Sequence, residues 1–110
     1  MQNSDLLQVA QNYGCPLYVY DADKIISQYN RLVKAFNKIE NFKIHYAVKA
    51  LSNINILKLL KNEGCGLDTV SIEEVLLGLH AGFDPNEIMY TPNGVSFEEI
   101  EKVAQMGVQI

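Results

Sequence analysis

Cysteine is scarce in this sequence, basic residues are outnumbered, and no apolar run is long. Each shortage excludes something. The two cysteines, Cys15 and Cys65, lie far apart, in no C-x-x-C and with no ligand histidines beside them. Such a pair makes neither a disulfide framework nor a zinc signature, and buried or half-buried free thiols are the reading left. Nine Lys and Arg against thirteen Asp and Glu leave a formal net charge of -4, with no basic cluster. A nucleic-acid partner is therefore not expected, and the excess negative charge favours solubility. Nothing approaches the roughly 20 consecutive apolar residues of a membrane span. The opening MQNSDLLQVAQNYG has neither the basic n-region nor the apolar h-region of a signal peptide. A cytoplasmic chain with no membrane partner is expected.

What is present describes a folded domain. Of 110 residues, 48% are hydrophobic and 20% charged, the profile of a soluble globular chain large enough for one small domain with a core. The first signal is a short helix capped by Asn3 or Ser4, carrying Leu6, Leu7 and Val9, and ended by Gly14. PLYVYD then reads as a strand whose start is confined by Pro16. Asp21 is a good N-cap for a long helix, in which Ile25, Ile26, Tyr29, Leu32, Val33 and Phe36 follow helical spacing.

From here the pattern repeats. FKIHYAVK, GLDTVS and EIMYTPN read as strands. Each is followed by a helical run, NINILKLLKNEG, IEEVLLGLHAG and FEEIEKVAQMG, closed by Gly64, Gly82 and Gly107. The strand ends Lys49, Ser71 and Asn93 recur at a constant interval. Two helices open with S-x-x-E, Ser71 with Glu74 and Ser96 with Glu99, the pattern of a capping box. Strand, polar turn, capped helix and terminal glycine, three times over, predict βα units on a parallel sheet with right-handed crossovers. GVQI after Gly107 looks like the opening of a fourth strand, so the chain is expected to be the N-terminal piece of something longer.

The residue that needs explaining is Lys49. Along FKIHYAVK, Phe42, Ile44, Tyr46 and Val48 share one face, and Lys43, His45, Ala47 and Lys49 share the other. In a barrel of parallel strands the second face points inward and the C-terminal strand ends form the functional rim. Lys49 then sits at that rim above the small Ala47, which leaves room for a ligand. An enclosed ammonium is desolvated, which makes the neutral amine accessible for condensation with a carbonyl. From position alone, a lysine snorkelling to water is the ordinary reading.

The surrounding letters change it. YAVKA followed by GLDTVSIEEVLLGLHAGFDPNEIMYTPNG resembles the alanine-racemase-like, fold-type III pyridoxal-phosphate enzymes. Within them it is most similar to the diaminopimelate decarboxylase family, whose members remove CO2 from meso-2,6-diaminopimelate to give L-lysine in lysine biosynthesis. The resemblance runs from PLYVYD to GVQI. It implies an α/β fold, the N-terminal part of a parallel (β/α)8 barrel with about three βα units present, and pyridoxal 5'-phosphate as cofactor. It implies that residues 1–21 belong with a flanking β-domain, and that 22–110 form an incomplete cofactor-binding barrel, inactive alone.

By the same resemblance Lys49 is the catalytic lysine that holds the cofactor, and Ala47, Asp68, Glu74 and Asn93 are cofactor-binding candidates. Asp68 lies in the family's G-x-D-x-x-S segment. Glu74 matches an acidic family position, but its capping box explains it equally well, and Asn93 can equally be turn chemistry with Gly94. His45 reads as interior packing or a supporting residue, and His80 as a residue favoured at a helix C-terminus. No metal is implied. A small amino-acid substrate and a homodimer of the full-length enzyme are implied partners. Leu51, where many relatives carry Asn, leaves the substrate subgroup open. A polyamine-pathway or other basic amino-acid decarboxylase, or a non-catalytic cofactor-binding barrel, remains as an alternative.

Overall fold

A computed structural model describes residues 2–110, so Met1 of the expected 1–21 segment lies outside the described residues. Among the described residues, five helices and three strands alternate after an all-helical start: α1 (Asn3–Tyr13), α2 (Ala22–Ala35), β1 (His45–Ala47), α3 (Ile54–Asn62), β2 (Gly66–Thr69), α4 (Ile72–His80), β3 (Ile88–Tyr90) and α5 (Phe97–Gln105). Short 3-10 turns stand after β1, at Val48–Ala50, and before β3, at Pro85–Glu87.

The strands form one parallel sheet in the order β1-β2-β3. Parallel neighbours need a crossover, and here α3 and α4 supply it. Tyr46, Leu67 and Ile88 stand in register, as do Thr69 and Tyr90. Leu67, Ile88 and Tyr90 join Val48, Leu57, Val75 and Val103 in the main core, which the helices cover. A second cluster, Ile56, Leu60 and Cys65, takes Ile25 and Tyr29 from α2. Two glycines allow this close packing. A Cβ on Gly78 in α4 would fall 2.7 Å from Leu67 Cδ1, and one on Gly66 would meet the His45 ring and, at 2.8 Å, the Glu87 carbonyl oxygen. Below them Lys43 and Glu87 pair at 3.2 Å. Burial works against the Glu87 charge, but the Asp84 N–H and Lys43 together hold its carboxyl below the usual range.

The local signals hold well. Asp21, Ser71 and Ser96 each accept from the backbone N–H three residues on, at 3.0, 3.3 and 3.2 Å. Gly14, Gly64, Gly82 and Gly107 follow four of the helices at positive φ. GVQI does open along β3: Tyr90 N donates to Gln109 O at 2.7 Å, and Gln109 N donates to Ile88 O at 3.0 Å.

Five expectations need correction. Cys15 is exposed rather than buried or half-buried. The cap of α1 is Gln2, whose box partner is Asp5, rather than Asn3 or Ser4. PLYVYD is not a strand; Tyr18 is 90% exposed, and no residue of the run pairs in the sheet. β-propensity expresses fit to a half-buried pleated surface, and without a neighbouring strand the run stays irregular. FKIHYAVK is strand only over His45–Ala47, because the chain then tightens into the 3-10 turn; the strands thus end at Ala47, Thr69 and Tyr90 rather than at Lys49, Ser71 and Asn93. Neither S-x-x-E closes a reciprocal box. Glu74 instead accepts from Val70 N at 2.8 Å, and Glu99 reaches another helix.

Candidate functional site

The face of the sheet opposite the main core carries Ala47, Asp68 and Met89 in one row at the C-terminal strand ends. Lys49 follows two residues after Ala47, in the middle of the 3-10 turn, and is exposed. Its neighbours hold it there. Val48 is fully buried in the core. Leu51 N donates to Val48 O at 3.1 Å, closing the turn, and the Tyr46 hydroxyl donates to Leu51 O at 3.2 Å. The backbone under Lys49 is thus pinned on both sides. Among the described residues its Nζ makes no hydrogen bond and no ion pair. A pinned backbone carrying a free amine suits a group that must bind something else, and it is more than a snorkelling lysine needs.

The other candidates divide. Asp68 is half-buried, and its Oδ1 accepts from the Thr91 hydroxyl at 2.6 Å. The structure therefore brings Asp68 and Ala47 to the same edge as the turn that bears Lys49. Glu74 accepts from Val70 N in the β2–α4 turn, a contact that is not the expected capping box. Asn93 lies exposed in the bend after β3, with no side-chain hydrogen bond among the described residues. His45 packs over Gly66, the interior role expected of it, and His80 is exposed as the last residue of α4.

Two residues escaped the sequence reading. Thr91 could have been found from alternation alone, since it follows Met89 by two and so falls on the face of Asp68. Glu99, read only as a capping-box residue, had no such signal for its actual partners: its Oε1 accepts from the buried Tyr90 hydroxyl at 2.8 Å and from Ile72 N at 3.2 Å. That ties α5 to β3 and to the start of α4. Burial, reinforced by Glu99, pushes the Tyr90 hydroxyl up to about 12.

A cleft of about 690 Å³ lies elsewhere. It runs along the outer edge of β1 between Val19–Asp21, α2 and α3, and of the candidate residues only Ala47 lines it. Its lining is mostly apolar, with Cys65 at its floor; burial pushes that thiol up to about 11. A lysine, Lys24, lines this cleft too, but it stands on α2 away from the strand ends, whereas Lys49 shares its edge with Ala47 and Asp68, so the strand-end row with Lys49 is the better site.

Parallel βα units with a free lysine held at their C-terminal edge define a class, the barrel domains in which strand ends carry the chemistry. Residues 22–110 match the family described as pyridoxal-dependent decarboxylase, pyridoxal binding domain, and the chain belongs to that family. Pyridoxal phosphate is accordingly its cofactor, as the resemblance implied. Among curated relatives, diaminopimelate decarboxylase of Methanothermobacter thermautotrophicus is 41% identical over 97% of this chain and 25% of its own length. Among solved structures, diaminopimelate decarboxylase from Helicobacter pylori complexed with L-lysine superposes with a TM-score of 0.86 at 36% identity, over 94% of this chain and 26% of that one. Lysine/ornithine decarboxylase from Vibrio vulnificus complexed with putrescine also reaches 0.86, at 26% identity, over 96% of this chain and 28% of that one. The chain spans about a quarter of the length of the curated relatives it matches. Among the described residues, no helix is long and apolar enough to cross a membrane.

Proposed function

We propose that this chain supplies the cofactor lysine and part of the cofactor cradle of a diaminopimelate decarboxylase, forming L-lysine and CO2 from meso-2,6-diaminopimelate. The observation that carries the reading is the free, turn-held Lys49 inside a stretch 41% identical to such an enzyme. The residues present fit pyridoxal phosphate. Lys49 offers an amine with no competing partner among the described residues, Ala47 adds almost no bulk to the row of strand ends, and Asp68 brings a carboxylate to the same edge.

When bound, the cofactor supplies an electron sink for the pair left behind as CO2 departs. The protein's share is positional. Lys49 is the residue that would hold the cofactor, through Nζ. Because Val48 and Leu51 pin the turn, the Lys49 amine would stay at the strand-end edge, able to accept or return a proton at Nζ. Asp68 gives that ammonium an opposite charge at the same edge. Asn93, exposed after β3, is left for a polar group of the ligand, and Glu74 acts by fixing the turn that follows Asp68.

The same reading carries three further proposals. Residues 1–21 belong with a β-domain and 22–110 with the barrel; the whole enzyme is a homodimer; and it works in the cytoplasm. The test is substrate preference of the protein that contains this chain. Release of CO2 should be faster from meso-diaminopimelate than from ornithine, arginine or L-lysine, and Lys49→Ala should abolish it. Ornithine or L-lysine turnover equal to or above that of meso-diaminopimelate would move the function to the polyamine-type alternative. No release from any of them would favour a non-catalytic barrel.

A further inference from the structure

We infer that Thr91 is a positioning residue for the Asp68 carboxylate, so that β3 contributes to the cofactor site through a hydroxyl rather than through Asn93 alone. The inference rests on the proposed reading of Asp68 as part of that site. Thr91 is the first residue after β3, yet its backbone still follows the ladder: Thr91 N donates to Thr69 O at 2.8 Å. Continuing the alternation of the strand puts its side chain on the face of Met89, and Met89 stands in register with Asp68. The hydroxyl has one proton and two acceptors within reach, Asp68 Oδ1 at 2.6 Å and Thr69 O at 3.5 Å. The distances decide between them, and 2.6 Å is the length of a hydrogen bond to an ionised acceptor.

Among the described residues, no other hydrogen bond reaches the Asp68 carboxylate. Thr91 is β-branched, with few χ1 states, so its hydroxyl is aimed in advance. One Asp68 oxygen is thereby occupied and the plane of the carboxylate fixed, which leaves the other oxygen to face a ligand in a set direction. Without the hydroxyl the carboxylate turns freely and its free oxygen must be oriented at the moment of binding.

The experiment uses the full-length enzyme stripped of cofactor and measures its dissociation constant for pyridoxal phosphate, with the absorption spectrum of the bound cofactor as a second readout. Thr91→Val keeps the shape and removes the hydroxyl. It should weaken binding about tenfold, the size of one hydrogen bond to a charged group. Thr91→Ala should weaken it to the same degree, while Thr91→Ser should restore both affinity and spectrum. Adding Asp68→Asn to Thr91→Val should weaken binding no further than Asp68→Asn does by itself, because the hydroxyl acts through that carboxylate. Thr91→Val and Thr91→Ala at wild-type affinity, or a loss that adds fully to that of Asp68→Asn, would overturn the inference. If Asp68→Asn weakens binding and the Thr91 variants do not, this inference alone fails. If Asp68→Asn has no effect, the reading of Asp68 fails with it.

Discussion

The two parts of the molecule obey the same local rules and reach opposite ends. Up to residue 47 the chain carries two capped α-helices and β1, yet no described residue there is buried; from Val48 onward every α-helix and strand contributes to a core. Tyr13, Tyr18, Leu7 and Ile39 are all more than half exposed, whereas Leu67, Val75, Ile88 and Val103 are fully buried. α2 is as well capped as α5, since Asp21 and Ser96 each hold the third N–H of their helix. The difference is therefore not helix quality. It lies in whether an apolar face has a partner. α4 and α5 lie on a parallel sheet, while α2 packs Ile25 and Tyr29 against the smaller cluster and adds a polar contact, Asn30 Nδ2 donating to Glu63 Oε2 at 3.4 Å.

Truncation of one leucine in each part sharpens this contrast and has the largest expected effect. Leu67→Ala, in the centre of β2, should cost about 2–5 kcal/mol, the range for a filled core site that cannot collapse. Leu7→Ala, on the exposed α1, should stay within about 0.5 kcal/mol. The fall in denaturation midpoint reads both. Equal losses at the two sites would break the comparison.

The cysteines test the same contrast with a smaller effect. Cys15 is exposed and Cys65 buried. A thiol reagent at neutral pH should label Cys15 alone, and Cys65 only as the protein unfolds. Burial raises the Cys65 thiol from 9.0 to about 11. A raised value means that the folded state holds its proton more tightly. Its contribution is therefore complete below pH 9, falls as pH rises, and is gone above about 11. Cys65→Ala should make the alkaline loss of stability shallower over that window. A remaining fall at higher pH belongs to Tyr90, Tyr29 and Tyr46, whose hydroxyls burial also raises. Labelling of both thiols at equal rates in the folded protein would contradict the burial of the second cluster.

What was legible in the sequence follows from range. Helix ends were readable because Asp21, Ser71, Ser96 and the glycines act on their own neighbours. The parallel sheet was readable because strand, turn and helix recur at one interval. PLYVYD misled because propensity does not supply a partner strand. β1 was drawn too long because nothing in AVKA marks the tightening into a 3-10 turn. The partners of Asp68 and Tyr90 are 23 and nine residues distant, and such pairings exist only once β2, β3 and α5 are packed. Lys49 was found by its motif. What the structure adds is the pinned turn beneath it and the absence, among the described residues, of any partner for its amine.

The central claim is that this amine, and no other, receives the cofactor. Borohydride reduction of the cofactor-loaded full-length enzyme, followed by peptide mass mapping, tests it directly. The account predicts a pyridoxyl group on Lys49, in the peptide containing YAVKA, and its loss together with the bound cofactor's absorption in Lys49→Ala. A pyridoxyl group on Lys43, which is paired with Glu87, or on Lys58 in α3, with Lys49 unmodified, would contradict it.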